Sequence, residues 1–136
     1  MEVYEKSYKG LWLFLLGMFA ALIGLGVPFA LRFPEHTARF TINLCNLSVV
    51  VLMYLIRRTE QVYWINGVEF EAAKQAGSER RRAFAQKHLR RFGWVFLGGL
   101  ALSLVFAFLA LPQMIDFSLI TAALIVTAIS TVTIKL

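Results

Sequence analysis

The sequence predicts an all-α integral membrane protein, with four transmembrane helices and a basic amphipathic helical segment between the second and the third. Three observations carry that prediction. Hydrophobic residues make up 59% of the 136 residues, above the roughly 45–50% of soluble chains. The excess is gathered into four blocks without a charge. Most of the cations are gathered between blocks, above all in 79-ERRRAFAQKHLRRFG-93.

The blocks are 10–31, 40–56, 93–111 and 117–134, with 22, 17, 19 and 18 residues. Each falls within the roughly 17–25 residues a helix needs to cross ~30 Å of hydrocarbon. Helices are expected because an open strand in lipid leaves its backbone polar groups unpaired. All four belong to one membrane domain. Block one could be a cleaved leader, since Lys6 and Lys9 precede it. A leader's apolar core is shorter, about 7–15 residues, and ends at small residues. The stretch 27-VPFALRF-33 offers a proline and large side chains instead, so a retained span is expected. Pro28 should bend or end it. Gly17, Ala21 and Gly24 lie along one side of this helix, a spacing that lets another helix approach closely.

Block two is the shortest and most polar, with 41-TINLCNLS-48 at its centre. Asn43 and Asn46 share a face. Asparagine in lipid seeks a partner, so that face should point to a neighbouring helix or line a polar pocket. The single cysteine, Cys45, reads as a small apolar packing residue.

Segment 57–92 follows. Tyr63 and Trp64 suit an interfacial depth. Asn66-Gly67 could form a hairpin turn between short arms or open a helix. An isolated hairpin is marginal in water, and 71-EAAKQA-76 favours a helix. The expectation is therefore a helix capped by Asn66, with Glu69 at the third position, ending at Gly77. Ser78 should cap the next helix. On that helix Ala85, His88, Leu89 and Phe92 share a side, and Arg80, Lys87, Arg90 and Arg91 lie largely opposite. Such a helix can lie on a bilayer surface. It should bend at Gly93 and enter block three, with Trp94 as an anchor. Arg80, Arg81, Arg82, Lys87, Arg90 and Arg91 are the expected contacts for anionic lipid headgroups or a partner. In block three Gly99 and Ser103 form a second close-packing pair. The short 112-PQMID-116 turn makes blocks three and four antiparallel, with Asp116 expected to cap the fourth helix.

Orientation follows from the basic residues. With four spans, both tails and 57–92 share one side, which then carries 12 of the 14 cations. That side is expected to be the cytoplasm, and the location a bacterial cytoplasmic membrane. The net charge of +6 points to anionic lipid, because a segment tethered at both ends to a membrane is a poor nucleic-acid reader.

Chemistry is sparse. No block contains a charged residue, and intramembrane charge is the usual mark of proton or ion pathways. His36 and His88 fall on opposite sides and cannot share a metal. No metal, phosphate-loop or nucleophile motif is present. No cofactor and no catalytic residue is expected. The leading expectation is a non-catalytic accessory, regulatory or protective subunit. It would act through helix contacts and its basic segment, with a protein partner or a second copy. The alternatives are a small homodimeric transporter or channel lined by Asn43 and Asn46, and a sensor of lipid charge read by 79–92.

Overall fold

The computed structural model describes residues 3–136 and contains no strand among them. Four long helices follow one another: α1 (Lys9–Arg32), α2 (Thr37–Thr59), α3 (Phe70–Phe108) and α4 (Gln113–Thr131). All four are long and apolar enough to cross a membrane. Single 3-10 turns, Pro34–His36 and Val62–Trp64, join α1 to α2 and lead out of α2. The end holding the N-terminal tail and residues 60–92 is the basic end. The opposite end holds the two short connections.

Helices α1 and α2 outrun their uncharged blocks at both ends, whereas α3 and α4 begin before their blocks and end three residues short of them, at Phe108 and Thr131. Thr37–Arg39 form the first turn of α2, and Arg57–Thr59 its last. Pro28 neither ends nor interrupts α1, which continues to Arg32. At this depth the helix loses one backbone bond and keeps its remaining turns. The linker departs further from expectation. Asn66 and Gly67 are the central pair of a turn closed by Val68 N–H to the Ile65 carbonyl, 3.2 Å. Gly67 takes φ +88. Asn66 therefore caps no helix, and Glu69 precedes the first residue of α3 instead.

Gly77 breaks α3 at the expected position. It adopts φ 76, ψ 162, a region essentially reserved for glycine, so Phe70–Ala76 forms a short arm and a long helix follows. No break occurs at Gly93; the helix runs through it to Phe108. The basic segment and the third apolar block are thus one continuous rod. A positive φ at Ala110 (56°) then turns the chain into α4.

Packing centres on α3. Its backbone comes close to both α2 and α4 at Gly99, where a Cβ would lie 3.3 Å from Asn46 Nδ2 and 3.3 Å from Ile120 Cγ1. The apolar core proper lies at the basic end, built from Met53, Ile56, Val62, Tyr63, Ala73, Phe84, Ala85 and Phe92. Helix α1 contributes no buried residue. It is attached at its two ends. Phe29 stacks on Phe40 with centroids 4.2 Å apart. At the other end Gly10 lies under the Trp64 indole, so close that a Cβ would meet it at 2.9 Å.

Two glycines give opposite expectations. Gly77→Ala should destabilise the protein by about 1–3 kcal/mol through its backbone conformation. Gly93→Ala, helical with open space around it, should stabilise by about 0.5–1 kcal/mol. Unfolding midpoints in detergent check both.

Candidate functional site: the basic end and two buried polar clusters

Glu60 organises the basic end. It ends α2 in a left-handed conformation, φ 61 and ψ 15, uncommon for a residue with a Cβ. Four groups hold it there. Its carbonyl accepts from the Tyr4 hydroxyl at 2.7 Å. One carboxylate oxygen accepts from the Ser78 hydroxyl (2.7 Å) and from Arg82 Nε (2.6 Å). The other accepts from Arg81 Nη2 (2.9 Å) and Nε (3.1 Å). Burial raises the Glu60 carboxyl pKa, but the bonds from Ser78, Arg81 and Arg82 outweigh burial and hold it below its ordinary 4.5. Ser78 therefore serves Glu60, a role its position after Gly77 did not announce.

Arg81 is 1% exposed. Besides Glu60 it donates to the Ala73 carbonyl at 3.2 Å. The Tyr4 ring covers its guanidinium at 4.1 Å, an attraction between cation and π face. Burial pushes the Tyr4 phenol up to about 12 against the opposing pull of Arg81, so the hydroxyl stays a donor. Tyr4 also stacks on Phe70 at 5.4 Å. Tyr63 accepts the Ser7 N–H at 2.6 Å, and the Trp64 indole donates to the Ser7 carbonyl at 3.0 Å. The N-terminal tail is thereby strapped across the 60–70 connection.

The six cations of 80–91 thus divide. Arg81 is a correction to the expectation of headgroup contact: it is enclosed and paired. Arg82 keeps an exposed side chain but bonds Glu60. Arg91, also exposed, caps α4 by donating to the Ser130 carbonyl at 2.7 Å, satisfying an orphan carbonyl. Arg80, Lys87 and Arg90 are exposed, with no hydrogen bond or ion pair among the described residues.

A second cluster closes the far end. Asp116 is fully buried and Arg39 5% exposed. They form a two-pronged ion pair, Nε–Oδ2 2.6 Å and Nη2–Oδ1 3.1 Å. Arg39 also donates to the Leu111 carbonyl at 3.0 Å, and its Nη1 lies 2.9 Å from His36 Nδ1. Asp116 is therefore no cap, and Pro112 stands at the cap position. Asp116 reaches sideways from the first turn of α4 and binds the start of α2. A lone arginine and a lone aspartate at the same ends of two apolar blocks were the available signal.

Between the clusters, Asn43 Nδ2 bridges the Arg39 carbonyl (2.8 Å) and Ser103 Oγ (2.7 Å). Asn46 Nδ2 lies 3.4 Å from the Val95 carbonyl, beside Gly99. Both asparagines thus sit in the seam between α2 and α3, together with Gly99 and Ser103. Their Oδ1 atoms have no hydrogen-bond partner among the described residues. Gly17 and Gly24 are brought to nothing: apart from their chain neighbours and the local helix backbone, no atom of the described residues lies within 4 Å of where a Cβ would be. Ala21 is half-buried.

No protein-family model matches this chain, and comparison with curated proteins and with solved structures finds no similar protein.

Two predictions follow from the clusters. Asp116→Asn strands a buried guanidinium and should cost about 3–5 kcal/mol, whereas the double replacement Arg39→Met, Asp116→Leu should recover most of the loss; detergent unfolding of all three variants checks this. For Glu60 the sign is that of a lowered carboxyl pKa. Its contribution is complete above the ordinary 4.5 and is lost as pH falls through the lowered value. Hydrogen-exchange protection at 60–82, with the intrinsic pH dependence of amide exchange divided out, should therefore fall on acidification, and in Glu60→Gln be already low and flat over that range.

Proposed function

We propose that the chain is a non-catalytic membrane protein, an accessory, regulatory or protective subunit that acts through an outward helix face and a basic cytoplasmic surface. The observation that carries this reading is α1. It is a 24-residue apolar helix without one buried residue, fastened to the rest of the chain at its ends. Its inward side carries Phe14, Met18, Leu22 and Phe29, all half-buried. Gly17, Ala20 and Gly24 are exposed and offer the low-relief surface on which helices in lipid approach one another.

The basic surface adds to this. Arg80, Lys87 and Arg90 project from the long helix that begins after Gly77, just before it becomes apolar. At an anionic leaflet each such residue contributes about 1 kcal/mol. In this reading the basic end is cytoplasmic, both tails lie on that side, and the four helices span the bilayer. The rigid connection between the basic and apolar parts of α3 would transmit a tilt of the surface helix directly to the bundle. The conduit reading has less support. Asn46 is fully buried within the chain, and Asn43, half-buried, is bonded to Ser103, so the polar face is largely engaged inside one copy.

The test is cross-linking in native membranes. In a Cys45→Ala background, Gly17→Cys and Gly24→Cys should each trap one discrete species, either a partner subunit or a second copy. A ladder of random adducts, or none, at both positions would remove α1 as the contact face.

A further inference from the structure

A cavity of about 460 Å³ opens at the basic end, between the end of α2, the 64–68 turn, α3 and the end of α4. Its size is that of a small-molecule pocket. Its walls are apolar and aromatic, with Met53, Ile56, Trp64, Phe84 and Phe92 prominent. Two polar side chains enter this lining from within the fold, His88 and Thr131, which are 2% and 9% exposed.

The hydrogen-bond roles of both are fixed by their neighbours. His88 Nδ1 lies 3.0 Å from the Phe84 carbonyl oxygen. A carbonyl only accepts, so Nδ1 carries the proton. No carboxylate pairs with this ring among the described residues, and nothing offsets the cost of burying an imidazolium there. The neutral ring therefore presents Nε2 as an acceptor. Nε2 has no partner among the described residues. The Thr131 hydroxyl donates to the Ala128 carbonyl at 2.7 Å, which leaves its oxygen as an acceptor. The Trp64 indole N–H is already given to Ser7. The wall is thus largely apolar, and the two polar side chains that enter it from within the fold offer only acceptors, while Asn66, exposed on the 64–68 turn, is the third polar side chain of the lining.

We propose that this cavity binds a neutral apolar molecule bearing a hydroxyl group, which donates its proton to His88 Nε2. The recognised chemistry is that of an alcohol or phenol with a hydrocarbon body. A carboxylate, an ether or a ketone of the same shape brings only acceptors and leaves Nε2 unpaired. The position fits such a molecule: the cavity lies where the apolar helices give way to the basic segment, with Leu52, Val132 and Ile134 among its walls. This site is separate from the α1 face, and its test does not depend on the helix-contact reading.

The experiment compares 1-decanol with methyl nonyl ether, which has the same heavy-atom chain and no donor. The full chain is held in a detergent without hydroxyl groups. Binding is read from Trp64 fluorescence in a Trp12→Phe, Trp94→Phe background, and the state of Nε2 from the imidazole nitrogen resonances. Decanol should bind about three- to tenfold more tightly than the ether, the range of one net hydrogen bond, and should shift Nε2 while leaving Nδ1 in place. In His88→Leu the two probes should bind alike. Equal binding of both probes to the unaltered His88 protein, a preference for decanol that survives His88→Leu, or no binding of either probe would overturn the proposal. If His88→Leu does not fold, the comparison of the two probes and the Nε2 shift on the His88 protein still decide it.

Discussion

Charges drawn among apolar helices have no water to solvate them, so each must meet its opposite inside the protein. Arg39 and Asp116 show what this demands. Their pairing joins the first turn of α2 to the first turn of α4, and the Leu111 carbonyl and His36 take two of the three guanidinium protons that the carboxylate leaves. Once these two turns are tied, α3 is confined between α2 and α4, and its surface there must be small. Gly99 and Ser103 meet that requirement. The asparagines of α2 then lie against α3, where Ser103 and the Val95 carbonyl give them partners. The ion pair, the small residues and the asparagine seam are one arrangement, and changing any part shifts the geometry of the others.

The basic end follows the same rule with a different outcome. Glu60 gathers Ser78, Arg81 and Arg82, and Tyr4 covers the buried guanidinium from above. A carboxylate shared in this way holds the small apolar core of this end under the arginine run. The cost of the left-handed Glu60 backbone is offset by the number of groups that converge on it. One effect is subtractive. Of six cations between residues 80 and 91, Arg81 is enclosed and Arg82 shares the Glu60 carboxylate, so the charge free of a counterion is smaller than composition suggests. The same packing shapes the cavity walls: Phe84 and Phe92 come from the helix whose Arg81 is fastened, and His88 lies between them.

The helices were legible because an uncharged block of sufficient length has few alternatives. Gly77 was legible as a break, and the buried side of 84–92 as a periodicity. The polar clusters were less so. A charge at the edge of an apolar block looks like the start of a loop, and only the third dimension shows that Arg39 and Asp116, 77 positions apart, are neighbours. Arg81 was indistinguishable from Arg80 and Arg82 in a run of three; its fate depends on how the helix after Gly77 is rotated against Glu60 and Tyr4, which no periodicity shows. Tyr4 and Glu60 carried no motif, because a tail strapped to a connection has no periodicity to announce it.

The spacing between Arg39 and its counterion also imposes an order on biosynthesis. A chain emerging from the ribosome exposes the guanidinium long before the codon for Asp116 has been read. During that interval the second hydrophobic hairpin does not exist, and the cation has only solvent or a helper protein for company. Nascent fragments released before that codon would retain an arginine without its counterion at the start of α2.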